Sequence, residues 1–112
     1  MSILDNAEQR FVEAVANGLR ELAFDKWGES IYFYPKAAMQ LKQKAGYGKC
    51  LDADNDAEIA LNILMYRARD KDGRKLFKPS DREKIQRKVL AEDVAEIVQE
   101  MLRIDGEDVP GK

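Results

Sequence analysis

Apolar positions along the chain change period several times, and each change marks an element. Phe11, Val12, Val15 and Ala16 recur at helical spacing. Ahead of them Asp5 and Glu8 stand as N-cap and capping-box partner, and Gly18 sits where a helix-ending glycine belongs. The pattern predicts a helix over about 5–17. "LRELAF" favours helix by propensity alone, but "IYFYP" is β-branched and aromatic and ends on proline, a strand signal. A strand needs a partner, so an antiparallel hairpin is predicted near residues 20–34, about 20–26 with 30–34, turning at "KWGES". Ile31 and Phe33 share one face of it, Tyr32 and Tyr34 the other. Both faces are apolar, and each needs cover from this chain or a neighbour.

Pro35 ends the strand and pre-sets the backbone for a helix start. A helix over about 36–45, capped by Gly46, is expected next. After the loop "YGKCLDADND", a helix over about 55–69 is apolar nearly all round, so it lies buried at the centre or is shared with a second subunit. "DKDGRKLF" reads as a glycine turn followed by a short extended piece. Ser80 and Glu83 form a capping box for a helix over about 81–89. In the last helix, about 91–103, Val94, Ile97, Val98, Met101 and Leu102 make an apolar stripe opposite Glu92, Glu96, Gln99, Glu100 and Arg103. Residues 104–112 are polar and expected to fray. The expected fold is therefore a single mainly α (α+β) domain, with four to five helices packed around a small antiparallel β-hairpin.

Charge adds an asymmetry. The net charge of the 112 residues is only −2. Yet residues 67–88 carry a net of +6, residues 89–112 a net of −5 and residues 1–66 a net of −3. Segments of opposite sign favour weak self-association or charged partners at low salt, beside the plainer reading of a solvated surface. The single cysteine, Cys50, allows no internal disulfide and points to a reducing compartment. No apolar run reaches the length of a membrane span, and the acidic start lacks the regions of a signal peptide, so a cytoplasmic protein is expected.

Candidate chemistry is sparse. With no histidine and one cysteine, the usual general base, the Ser-His-Asp relay and the common zinc ligand sets are missing, and no enzyme activity or cofactor is expected. Asp52, Asp54 and Asp56 have calcium-loop spacing, but Ala57 stands where the loop needs glycine and Ile63 where it needs glutamate. An acidic loop capping the following helix is the better account. No phosphate-binding glycine loop occurs. The ten lysines and arginines of 67–88 offer a nucleic-acid patch, but Phe77 alone is interleaved among them and Asp70, Asp72, Asp81 and Glu83 dilute the field. The aromatics of 31–34 lack the glycine and basic frame of an RNA-binding sheet. Core or interface packing accounts for them better. What remains is an interaction module. Its candidate partner-binding residues are Tyr32, Tyr34, Ile59, Ile63, Tyr66, Arg74, Lys75 and Phe77.

Three stretches in order carry a resemblance: "WGESIYFYP" (27–35), the apolar helix running into "RDKDGRKLF" (69–77), and the closing helix pair. In this order they resemble the tail assembly chaperones of long-tailed bacteriophages, over about 27–103; the N-terminal helix falls outside the match. The resemblance implies a non-enzymatic protein of the host bacterial cytoplasm, absent from the mature virion. Its implied partners are the tape measure protein, which it keeps soluble, and the major tail (tube) protein, which it recruits. The alternatives are another small morphogenesis protein, for head–tail joining or tail completion, and a small nucleic-acid-binding regulator using 67–88.

Overall fold

The computed structural model describes residues 2–106. Helix α1 spans Ile3–Gly18, with Ser2 rather than Asp5 as its cap. The Ser2 hydroxyl accepts from the Asp5 N–H at 3.1 Å, and the Asp5 carboxylate accepts from the Ser2 N–H at 3.3 Å. Asp5 is thus the partner in a capping box that begins three residues earlier than expected. Phe11 and Val15 are half-buried, while Val12 and Ala16 stay exposed.

Strands β1 (Arg20–Phe24) and β2 (Glu29–Phe33) form the expected antiparallel hairpin, with Leu22 opposite Ile31 and Arg20 opposite Phe33. Between them Asp25–Trp27 makes a 3-10 turn, and Gly28 completes it at φ 76°. That conformation suits glycine because it has no Cβ. Leu22, Phe24, Ile31 and Phe33 face inward and are buried. The outer face is not a second apolar surface. There the Glu21 carboxylate accepts from the Ser30 hydroxyl at 2.6 Å and the Tyr32 hydroxyl at 3.4 Å. Cross-strand hydrogen bonding, not a covering element, satisfies that face.

Beyond β2 the chain departs from expectation. Lys36–Ala38 is only a 3-10 turn, and Met39 and Gln40 are extended. Helix α2 starts at Leu41, caps through Gln40 and Gln43, and ends at Cys50. Gly46, expected as a terminator, lies inside it. A Cβ there would sit 2.3 Å from the Tyr66 hydroxyl and 2.8 Å from the ring carbon bearing it, so glycine admits the Tyr66 ring against the helix.

Helix α3 spans Asp56–Arg67 and is capped by the Asn55 side chain, with Asp56 and Glu58 in its first turn. Acidic residues there complement the helix dipole, as expected for this loop. Leu61, Ile63, Leu64 and the following Ala68 are buried, and Ile59, Ala60, Met65 and Tyr66 pack against the core. This makes α3 the central helix, resting on α2 and, most extensively, on α5.

Residues 69–75 return as a tight turn. The Asp70 carboxylate accepts from the N–H groups of Asp72 and Arg74, and Arg69 pairs with both Tyr32 and Lys75. The hairpin therefore gains a short further edge. Pro79–Asp81 forms a 3-10 turn, and helix α4 spans Arg82–Lys88. Its entry is organised by the Asp81 carboxylate, which accepts from the Lys78 N–H at 2.7 Å, rather than by a Ser80–Glu83 box.

Helix α5 spans Ala91–Asp105, and all five residues of its predicted stripe are buried. Ile104 and Asp105, expected in a frayed tail, belong to this helix. Residues 107–112 of that predicted tail lie outside the described residues. The core gathers the inner face of the hairpin, α3 and α5. Trp27 closes one end of it, its Nε1–H donating to Asp93 at 3.1 Å and its ring edge-on to Phe24 at 5.3 Å. Among the described residues, five helices and one hairpin make the mainly α, α+β fold that the sequence predicts.

Candidate functional site

The eight candidate partner-binding residues do not form one surface. Tyr34, Tyr66, Lys75 and Phe77 gather on one side of α3. Ile59 lies on another side, facing α5. Tyr32 sits half-buried on the outer face of the hairpin, and Arg74 stands exposed at the tip of the 70–74 turn. Ile63 is 2% exposed and belongs to the core, where it stands in the wall of the same groove as Ile59. A helix that is central in its own domain turns its most apolar positions inward, which is why Ile63 is so little exposed.

Tyr66, Lys75 and Phe77 of the first group border an open cleft of about 620 Å³ between α2, the second half of α3 and residues 75–82, while Tyr34 lines a smaller neighbouring one. Its apolar lining includes Met65, Tyr66, Phe77 and Cys50. Lys49, Lys75, Lys78 and Arg82 supply four cationic side chains, and among the described residues no carboxylate lines it. The Tyr66 hydroxyl donates to the Gln43 carbonyl at 2.9 Å. The Lys75 ammonium lies 4.5 Å from the centre of the Tyr66 ring and donates to the Tyr66 carbonyl at 2.5 Å. Burial foremost, and then the Arg69 guanidinium, holds the Lys75 ammonium below the ordinary lysine range. An apolar floor under a rim of one charge sign suits an amphipathic, acidic guest.

Cys50 sits in the wall of this cleft with its Sγ 3.5 Å from the Gly46 carbonyl and 3.6 Å from the Asn62 carbonyl. Burial pushes its thiol up, against the weaker pull of Lys75, Arg67 and Arg82. A buried thiol held protonated is a small hydrophobe and a weak donor, not a nucleophile. Among the described residues, no group of three or more Cys, Asp and Glu side chains is placed to hold a metal ion. Nor, among them, is any helix long and apolar enough to cross a membrane.

A second groove of about 440 Å³ runs between α3 and α5, lined by Leu51, Ile59, Ala60, Val98 and Leu102, with Asp56 at its edge. It is apolar and carries no cation.

Sequence reasoning missed the ion pair at the centre of the molecule. The Arg67 guanidinium donates to both Asp105 oxygens, at 2.6 and 3.1 Å, and to the Tyr34 carbonyl at 2.8 Å. Phe33 and Tyr47 each place a ring 5.3 Å from it. Asp105 also accepts from the Lys36 N–H at 3.0 Å. The pair thus joins α3, α5 and the exit of the hairpin. The buried Arg67 Nε–H is left without a hydrogen-bond partner. Lys49, Met65 and Arg82 of the cleft were missed too. They come from three separate segments, and only the basic bias of 67–88 signalled one of them.

Compared with known proteins, the chain matches no family model, no curated protein and no solved structure.

Proposed function

We propose that this chain is a tail assembly chaperone of a long-tailed bacteriophage. In this reading it is a non-enzymatic binding protein that keeps the tape measure protein soluble in the host cytoplasm, brings tail-tube subunits to it, and does not remain in the virion. The observation that carries the reading is the mutual packing of the three segments behind the resemblance. Tyr32 of the "WGESIYFYP" stretch exchanges backbone hydrogen bonds with Arg69 of "RDKDGRKLF", at 3.0 and 2.7 Å. Trp27 of the first stretch is tied to Asp93 of the closing helix. Segments that resemble the family only by their order thus form one packed unit, while α1, outside the resemblance, contributes nothing to the core cluster.

The amphipathic cleft supports a binding role, since an extended helical partner presents repeated apolar and acidic faces to such a surface. Nucleic acid has less to stand on. Of the cations in 67–88, Arg67 is closed off with Asp105, Arg69 lies over the Tyr34 ring, and Arg87 pairs with Glu83 at 3.1 Å. The deciding experiment is co-expression with the tape measure protein encoded in the same genome, followed by affinity capture. Co-purification that rescues the tape measure protein from aggregation is expected. A tape measure protein that stays insoluble and uncaptured rejects the reading.

A further inference from the structure

The first half of helix α1 has no counterpart among the described residues. Ile3, Leu4, Ala7, Phe11, Ala14 and Val15 fall within about a third of its circumference, the stripe that a helix normally buries. Yet every residue from Ser2 to Arg10 is exposed, and Ile3 and Leu4 keep 87% and 65% of their surface. Its second half leans on the domain: Phe11, Ala14 and Val15 are half-buried, and Gly18 approaches Ala38 and Pro35. The molecule is accordingly drawn out to 51 × 31 × 30 Å. The helix is also acidic: Asp5, Glu8 and Glu13 stand against Arg10 alone.

The cationic cleft offers the complement. It has an apolar floor, it is rimmed by Lys49, Lys75, Lys78 and Arg82, and no carboxylate among the described residues lines it. We propose that α1 of one copy docks in this cleft of a second copy, its apolar stripe on Met65, Tyr66 and Phe77, with the Glu8 edge of that stripe and the net negative charge of the helix drawn to the lysines. Charge favours this cleft over the groove between α3 and α5. That groove has Asp56 at its edge and no cation, the wrong sign for α1. Donor and acceptor are different patches of the same chain, so a pair of copies still has one free helix and one free cleft. Such a head-to-tail contact extends into chains rather than stopping at a dimer, unless the geometry closes a ring. The proposal does not rest on the tail-assembly reading, because its test uses this chain alone.

The experiment is sedimentation of the full chain and two double variants. Ile3→Ser with Leu4→Ser disables the helix and leaves the cleft. Lys49→Glu with Lys78→Glu reverses two exposed rim charges and leaves the helix. Circular dichroism checks that both keep the fold. The wild-type chain is expected to grow past dimers as its concentration rises toward about 1 mM. This growth should weaken as salt is raised from about 50 to about 500 mM. Each variant alone is expected to sediment as a monomer. An equal mixture should form a one-to-one dimer and stop there, since it holds only one intact helix–cleft pair. A wild-type chain that stays monomeric throughout overturns the proposal, as does a mixture that stays monomeric. So does association that survives Lys49→Glu with Lys78→Glu, which would place the contact on another surface.

Discussion

The carboxylate of Asp105 meets the guanidinium of Arg67 at 2.6 Å, with side chains that retain 0% and 1% of their exposure. A buried pair of this kind is weak evidence for net stability, but removing one partner leaves the other charge stranded. Asp105→Ala is therefore expected to cost about 3–5 kcal/mol in urea unfolding. Arg67→Met combined with Asp105→Leu should recover part of that loss. It cannot recover all of it, because the Lys36 N–H and the Tyr34 carbonyl lose their partners as well. A double variant no more stable than Asp105→Ala would show that backbone contacts, not the stranded charge, carry the cost.

Phe33 is fully buried between the hairpin and the Arg67 guanidinium. Phe33→Ala should cost about 3–5 kcal/mol, as deletion of a core aromatic ring does. Its measure is the midpoint of urea unfolding at an unchanged slope. Folding left intact with partner capture lost would instead make Phe33 a surface contact.

Gly46→Ala should destabilise, although alanine is normally about 1 kcal/mol better in a helix. The added Cβ meets the Tyr66 ring, and displacing that ring breaks the hydrogen bond to Gln43. In a Tyr66→Leu background the same substitution should become neutral or stabilising. Thermal unfolding of the four proteins reads the reversal directly.

Cys50 gives a pH prediction. Its folded thiol titrates above the ordinary range, chiefly through burial. The folded chain then holds a proton that the unfolded chain releases, so stability falls as pH rises past about 8.5, the unfolded thiol value, through the folded one. Cys50→Ala should flatten that decline in urea midpoints measured across alkaline pH. The native thiol should also react with iodoacetamide far more slowly at pH ~8 than it does in urea.

Local pattern made much of this molecule legible. The stripe of Val94, Ile97, Val98, Met101 and Leu102 has the period and length of a surface helix, and α5 follows it. Alternation around Ile31 and Phe33 fixed the inward face of the hairpin, with both residues buried. Misreadings came where a distant contact overrules a local signal. Gly46 looks like a terminator until the Tyr66 ring is placed against it, twenty residues further along the chain. Pro35 looks like a helix start, but Met39 reaches back to the core and the chain runs extended there before α2 begins. The cleft draws on segments around 46–50, 62–66 and 75–82, and no periodicity links them. Arg67 and Asp105 are 38 residues apart, and a charged pair has no signature at such a range.

That separation has a consequence during synthesis. Ribosomes add about 5–20 residues per second, so Arg67 is made roughly 2–8 s before the aspartate that completes its site. Until Asp105 arrives, a guanidinium between Phe33 and Tyr47 has no countercharge and favours staying hydrated, which holds the hairpin and α3 apart. The chain is thus expected to close late, once its C-terminal helix supplies Asp105 to the guanidinium.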